Sequence, residues 1–196
     1  MATAAILRRI APVAYALAVV VALLLMPPGP GEAAGPWQAQ IVDAETGQPL
    51  EGVVVLFSWL KMTRTFGGPS PQFHDAEEVV TGSDGRFTIA ARRHFVWNPL
   101  QYIDGPYVVI FKPGYGEGRI RAGVPPEWEK DEEKKHASTG EVLALGGVVL
   151  ELFPLKTREE RLKFYRSFQD GGVPPEYSKR LDEARRTERR RLGFRD

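Results

Sequence analysis

Short runs of alternating or β-branched apolar residues, separated by polar turns, extend through residues 37–155. Residues 37–44 alternate apolar and polar side chains, and residues 53–60 form a β-branched and aromatic run; both patterns predict strands. Two more short strands are predicted around the turn "GSDG", and one each at residues 107–116 and 146–155. Strands spaced in this way predict an all-β fold, a small antiparallel β-sandwich.

The turns between these strands are predicted from five residues: Gly47, Pro49, Asp84, Gly85 and Gly114. Glycine and proline interrupt strand pairing, and Asp-Gly favours a tight hairpin because glycine adopts the positive φ that such a turn requires. These five residues are therefore assigned structural roles rather than chemical ones.

The first 33 residues have the pattern of an export signal. Arg8 and Arg9 precede an apolar stretch at residues 10–26, and a proline-rich segment and small residues follow. Either a secretory signal peptide is cleaved after Ala33, or residues 10–26 remain as a membrane anchor, because about 17 apolar residues approach the lower limit for crossing a bilayer. In both cases we expect export of the rest of the chain, to the periplasm or the cell exterior, with an inner-membrane anchor in the second case.

The C-terminal residues 156–196 form a basic segment with two helical patterns separated by "GGVPP". The segment carries 13 basic and 8 acidic residues, a surplus of five positive charges. Three regions are therefore predicted: a signal peptide or anchor at residues 1–33, a β-sandwich at 37–155, and a basic helical tail at 156–196.

Composition excludes several function classes. The formal net charge is +1, which gives no electrostatic basis for nucleic-acid binding. Cysteine is absent from the chain, which excludes disulfides, thiolate nucleophiles and cysteine-bound metals or clusters. No cofactor is predicted.

Four segments together resemble the carboxypeptidase regulatory-like domain family: "VDAETGQPLEGVVV", "TGSDGRFTI", "YVVIFKPGY" and "VVLELFPL". The resemblance implies a transthyretin/prealbumin-like antiparallel β-sandwich of about seven strands, here followed by the helical tail. It implies no chemistry, because this module accompanies peptidases, receptors and adhesins alike.

An enzymatic alternative is 5-hydroxyisourate hydrolase, which has the same sandwich. Its first strand carries a catalytic histidine where this chain has Gln40, and its C-terminal Tyr-Arg-Gly-Ser motif is matched only by Tyr165-Arg166-Ser167, without the glycine. Without that imidazole the sequence lacks an evident general base near neutral pH. We therefore predict that the chain is not an enzyme.

Histidine supplies the remaining chemical possibility. The chain has three histidines, His74, His94 and His136, and none lies at a metal-ligand spacing such as HxxxH. A three-histidine site stays conceivable because His74 and His94 both fall in segments inserted between strands. The favoured interpretation is solvated loop residues, and no metal site is predicted.

Two insertions, residues 58–75 and 92–105, are rich in aromatic residues. Long loops in compact domains are often functional, and exposed aromatic side chains there can bind sugars or peptides. The alternative is that the aromatic residues cover the end of the core. The candidate ligand- or partner-binding residues are Trp59, Phe66, Trp97 and Tyr102.

The favoured function is a non-catalytic exported β-sandwich module with a structural or protein-interaction role in the cell envelope. Its expected partner is an envelope protein or a surface polymer, with membrane association through residues 10–26 and no nucleic acid. A carbohydrate- or peptide-binding module that uses the aromatic insertions is the alternative, and an enzyme of unrecognised type is the third.

Overall fold

The computed structural model describes residues 35–132 and 134–194. In this part of the chain seven strands form two sheets, so the predicted mostly-β architecture with helices at its C-terminal end is confirmed. The strands are β1 (Trp37–Asp43), β2 (Val54–Thr65), β3 (Gly68–Val80), β4 (Arg86–Ile89), β5 (Gln101–Phe111), β6 (Tyr115–Ala122) and β7 (Val148–Pro154). The α-helices are α1 (Thr139–Ala144), α2 (Arg158–Ser167) and α3 (Lys179–Arg191). Short 3₁₀ turns cover Pro126–Glu129, Lys134–His136 and Pro175–Tyr177.

The larger sheet has the strand order β4-β1-β7-β6, and the smaller sheet has the order β3-β2-β5. β1 and β7 are parallel, whereas the other strand pairs are antiparallel. The prediction of a purely antiparallel sandwich is therefore wrong for one pair. β1 and β7 are joined through all of the intervening strands rather than by a hairpin, and a connection of that length permits a parallel pair.

The main apolar core takes side chains from both sheets. On β2 the alternate residues Val55, Phe57 and Trp59 are buried in it, as the period of two along a strand requires. The Trp37 ring from β1 lies 5.6 Å from that of Phe57, centroid to centroid. Trp37 and Trp59 lie at one end of this core. The candidate site begins at that end.

A second apolar cluster lies on the other face of the smaller sheet, beneath the C-terminal helices. Val54 and Leu56 of β2 are buried there with Leu181 of α3. The two helices are joined by a bidentate ion pair, in which the Arg161 guanidinium donates to both carboxylate oxygens of Glu188 at 2.7 and 2.6 Å. The helical tail is therefore packed onto the sandwich as part of the same compact unit.

The turn after β1 is organised by the Asp43 carboxylate. One of its oxygens accepts hydrogen bonds from the backbone N–H groups of Glu45 and Thr46, both at 2.8 Å. The other oxygen accepts the Tyr115 hydroxyl proton at 3.0 Å. Burial raises the pKa of Asp43, but these hydrogen bonds outweigh it, so the pKa is lowered overall. Gly47 lies in this turn with φ of +71°, and its N–H donates to the carbonyl of Asp43 at 2.8 Å.

The first predicted insertion, residues 58–75, is not a loop. β2 continues through it to Thr65, and β3 returns from Gly68, so the segment is a long β-hairpin. The first half of β3 was not predicted because it contains Pro69 and Pro71, and proline has no backbone N–H to donate to a neighbouring strand. β3 is an edge strand, where proline is tolerated.

No α-helix among the described residues is both long and apolar enough to cross a bilayer. The apolar stretch at residues 10–26 lies outside the described residues. Its assignment as a signal peptide or anchor stays a prediction.

Candidate functional site

The candidate site is built on an extension of the smaller sheet beyond the main core. The extension, as named here, consists of residues 60–65 of β2, 68–73 of β3 and 101–104 of β5. Antiparallel pairing on both sides of β2 continues past Trp59 into these residues. The extension is therefore a hydrogen-bonded three-stranded surface, held more rigidly than a loop of the same length.

A loop, residues 92–100, connects the core to the extension. The backbone N–H of Arg64 donates to the carbonyl of Leu100 at 2.8 Å, and that of Gln101 donates to the carbonyl of Asn98 at 2.9 Å. These hydrogen bonds fix the end of the loop beside the hairpin turn between β2 and β3.

Large apolar side chains are exposed on this hairpin turn and loop. We call them the aromatic tip: Phe66, Phe95, Trp97, Leu100 and Tyr102. Phe66 has a relative exposure of 115% and Trp97 of 81%. The Phe95 and Trp97 rings pack edge to face with centroids 4.8 Å apart, and the Arg64 guanidinium lies 5.5 Å from the centroid of the Tyr102 ring. Three of the predicted binding residues, Phe66, Trp97 and Tyr102, are thus brought together at one end of the molecule.

The fourth predicted binding residue, Trp59, does not lie on this surface. It is only 1% exposed and belongs to the main core, so its prediction as a ligand-contacting residue is wrong. Its ring lies 5.5 Å from that of Trp37 and 5.1 Å from that of His94. Trp59 therefore supports the base of the extension, as the core-covering alternative predicted for these aromatic residues.

Polar side chains surround Trp59 where the extension leaves the core. Arg92 forms ion pairs with Asp75 and Glu77, and its guanidinium lies 5.3 Å from the centroid of the Trp59 ring. The His94 ring contacts that of His74, with centroids 5.2 Å apart. These contacts attach the start of the loop to β3, so we call the five polar side chains the root cluster.

The root cluster does not form a metal site. Within residues 35–132 and 134–194, no group of three or more His, Cys, Asp or Glu side chains is placed to hold a metal ion. The three-histidine arrangement left open by the sequence is therefore not formed there. Nε2 of His94 is buried without a hydrogen-bond partner among the described residues.

The environment of His94 disfavours its charged form. Burial is the main cause of its lowered pKa, and the nearby His74 adds to it; Asp75 opposes the shift, whereas Arg92 reinforces it. The unfolded chain then takes up a proton below about pH 6.5 that the folded chain does not. The free energy of unfolding should therefore fall as the pH decreases through this value, and level off below the folded-state pKa.

We expect His94→Phe, which keeps a ring against Trp59 but cannot titrate, to remove this component. Urea unfolding at about pH 7.5 and about pH 5.5, on either side of the ordinary histidine pKa, measures it. His136→Gln, an exposed position in a 3₁₀ turn, serves as the control and should keep the wild-type pH dependence. Equal pH dependence in His94→Phe and wild type would contradict the assignment.

Positive charge accompanies the aromatic tip. Residues 60–73 and 92–104, which make up the extension, the hairpin turn and the loop, contain four basic residues and one acidic residue, Asp104, which gives this region a formal charge of +3. The whole chain has a net charge of only +1, so the positive charge is concentrated locally. Such a surface attracts anionic or electron-rich partners.

A second concave surface lies between the edge strands β5 and β6 and helix α2. It encloses about 570 Å³ and includes the side chains of Val109, Ile120 and Phe168. Glu117 is its one titratable lining residue. Acid–base chemistry needs at least one further titratable group, which the lining of this cleft does not provide.

Comparisons with known proteins give no match: no family model fits the chain, and neither the curated proteins nor the solved structures match it. The resemblance to the carboxypeptidase regulatory-like domain therefore stays a prediction. Functional assignment rests on the sequence and geometry of the chain itself.

Proposed function

We propose that this chain is a non-catalytic, exported interaction module of the cell envelope, and that the aromatic tip is its contact surface. The observation that carries the proposal is the clustering of five exposed large apolar side chains on one end of a β-sandwich. Contiguous exposed apolar surface marks sites for other molecules, whereas single scattered residues do not. Because the extension and the hydrogen bonds from the loop to it fix the backbone that carries these side chains, little backbone freedom is lost on contact.

The root cluster supports a non-catalytic role. Arg92 is engaged by two carboxylates, and His94 is packed between Trp59 and His74. Side chains held in this way position the loop that carries Phe95 and Trp97. They serve the contact surface by fixing its shape.

We assign the sandwich to the transthyretin-like class and to the carboxypeptidase regulatory-like family. Seven strands in two sheets support this assignment, together with the Asp84-Gly85 turn before β4. Export is supported by the basic start and the apolar residues 10–26 of the sequence. The partner is then a component of the envelope, either a protein or a surface polymer.

Carbohydrate or peptide binding is the second candidate. It is favoured by the Trp97 ring, which is 81% exposed and is supported at its edge by Phe95. Exposed aromatic faces bind sugar rings and extended peptides through apolar contact. Soluble glycans or peptides would then change the fluorescence of Trp97.

Site-specific photo-cross-linking in intact cells tests the proposed function. A photoreactive amino acid at position 66 of the full chain should give adducts with an envelope component. The control is position 153 on β7, where Phe153 is also exposed but lies outside the tip. Adducts of equal yield from both positions, or none from position 66 in a folded protein, would contradict the proposed contact surface.

A further inference from the structure

We propose that the aromatic tip binds the surface of an anionic lipid bilayer. This inference rests on the proposed function and names the partner of the same surface. It follows from where the described chain begins, how much chain precedes it, and which charges surround the tip.

The described chain begins at the end of the sandwich that carries the extension. Trp37, the first residue of β1, pairs with Ile89, and its ring contacts Trp59 at the base of the extension. A Cβ placed on Gly35 would lie 3.1 Å from the Cα of Ala91, immediately before the loop of the aromatic tip. Gly35, where the described residues begin, therefore lies beside the start of that loop.

The length of the preceding chain matches the length of the extension. Residues 10–26 are apolar, and nine residue steps separate Met26 from Gly35. Nine steps span at most about 30 Å when extended, at roughly 3.3–3.6 Å each. The seven steps from Trp59 to Phe66 along β2 span about 23 Å at 3.3 Å each. A bilayer holding residues 10–26 is thus within reach of the tip.

The chemistry of the tip suits a lipid interface. Tryptophan and other amphipathic aromatic side chains concentrate at the boundary between headgroups and acyl chains. Lys61, Arg64 and Arg93 belong to the same extension and loop, and residues 60–73 and 92–104 carry a formal charge of +3 with Asp104 as their one acidic residue. Each such cation contributes to binding at an anionic membrane surface.

The form of the tip also favours a membrane over a protein pocket. Phe66 has a relative exposure of 115%, so it projects from the turn with almost no support from neighbouring atoms. Projecting apolar side chains can enter the headgroup region of a bilayer. Among the carboxylates near the tip, Asp104 accepts the Tyr107 hydroxyl proton at 2.5 Å, and Asp75 and Glu77 are paired with Arg92 in the root cluster.

Tryptophan quenching by lipids brominated on their acyl chains tests the proposal. The full chain has four tryptophans, none within residues 1–34, and among them Trp97 is exposed whereas Trp37 and Trp59 are buried. The full chain is inserted into vesicles of brominated phosphatidylcholine, with or without phosphatidylglycerol. We expect quenching and a blue shift of emission in the anionic vesicles, and loss of that component in Trp97→Phe.

Charge variants provide the second measurement. Lys61→Gln, Arg64→Gln and Arg93→Gln should each lower the ratio of membrane-bound to free tip by about fivefold, the equivalent of ~1 kcal/mol for one cation at an anionic surface. Arg86→Gln, an exposed cation on β4, is the matched control and should leave the ratio unchanged. Circular dichroism establishes that each variant remains folded.

Three results would overturn the proposal. The first is emission in anionic vesicles that is not quenched, or that is quenched equally in Trp97→Phe. The second is a blue shift that depends on protein concentration without lipid, which would identify a second copy of the chain as the occupant. The third is cross-linking from position 66 to a protein without quenching by lipid; this result would leave the proposed interaction function standing and reject only the membrane.

Discussion

Replacing Trp59 by alanine is expected to lower the free energy of unfolding by about 3–5 kcal/mol, the usual cost of truncating a buried aromatic side chain. Trp59 is 1% exposed and packs against Trp37, Phe57 and His94, so its removal leaves a cavity between the core and the root cluster. Chemical denaturation followed by circular dichroism measures the loss. The effect is large because neighbouring rings cannot fully collapse into the space.

Trp97→Ala is the matched control for this substitution. It removes the same side chain from an exposed position, and we expect a change in unfolding free energy within about 0.5 kcal/mol. The two variants therefore separate folding from binding, since Trp97→Ala should impair contact at the tip and leave the fold intact. Similar losses of stability in both variants would contradict the division between core and contact surface.

Local patterns predicted much of the sandwich. The first strand, the β-branched second strand and the last strand were each found from short apolar runs, because burial of alternate side chains leaves a direct trace in sequence. The two C-terminal helices were likewise predicted. Such features depend on residues close together in the chain, so a single sequence is sufficient to find them.

Features that depend on distant partners were not predicted. β6, Tyr115–Ala122, contains glycine and charged residues and is a strand because it pairs with β7. The parallel pairing of β1 with β7 also has no local signal. Helix α1 was also not predicted, although it has a local signal in the sequence. Ser138 and Glu141 form a capping box with the S-x-x-E spacing.

The candidate site was predicted in part for the same reason. Aromatic residues between strands led to the prediction of Phe66, Trp97 and Tyr102 as binding residues, and all three are exposed at the tip. Leu100 and Phe95 were not among the predicted residues and join the tip through the folded loop. Trp59 was wrongly included among the predicted binding residues, because its side chain is buried. It continues the alternation of buried residues along β2, so the period of two places it in the core.

The turn at Gly85 joins β3 of the smaller sheet to β4 of the larger sheet, so the predicted hairpin at Asp84-Gly85 is wrong. This turn should nevertheless be the most sensitive one in the sandwich. Gly85 has φ of +70°, and a Cβ there would lie 2.4 Å from the carbonyl oxygen of Ile41. That oxygen accepts the N–H of Leu50 at 2.9 Å, and the Gly85 carbonyl accepts the N–H of Ile41 at 2.8 Å. Gly85→Ala thus combines a left-handed conformation, at about 1–2 kcal/mol, with a backbone collision, at about 1–3 kcal/mol. We expect a loss of about 3–4 kcal/mol in the free energy of unfolding.

Gly114→Ala isolates the first contribution, the cost of the left-handed conformation. Gly114 also has a left-handed φ, +89°, but a Cβ there would meet no atom within 4 Å. We expect Gly114→Ala to cost only the conformational strain, about 1–2 kcal/mol. Urea unfolding of the two variants under the same conditions gives the difference directly. If both substitutions cost the same, the close approach between the β3–β4 turn and the backbone of β1 is absent, because only that approach distinguishes the two glycines.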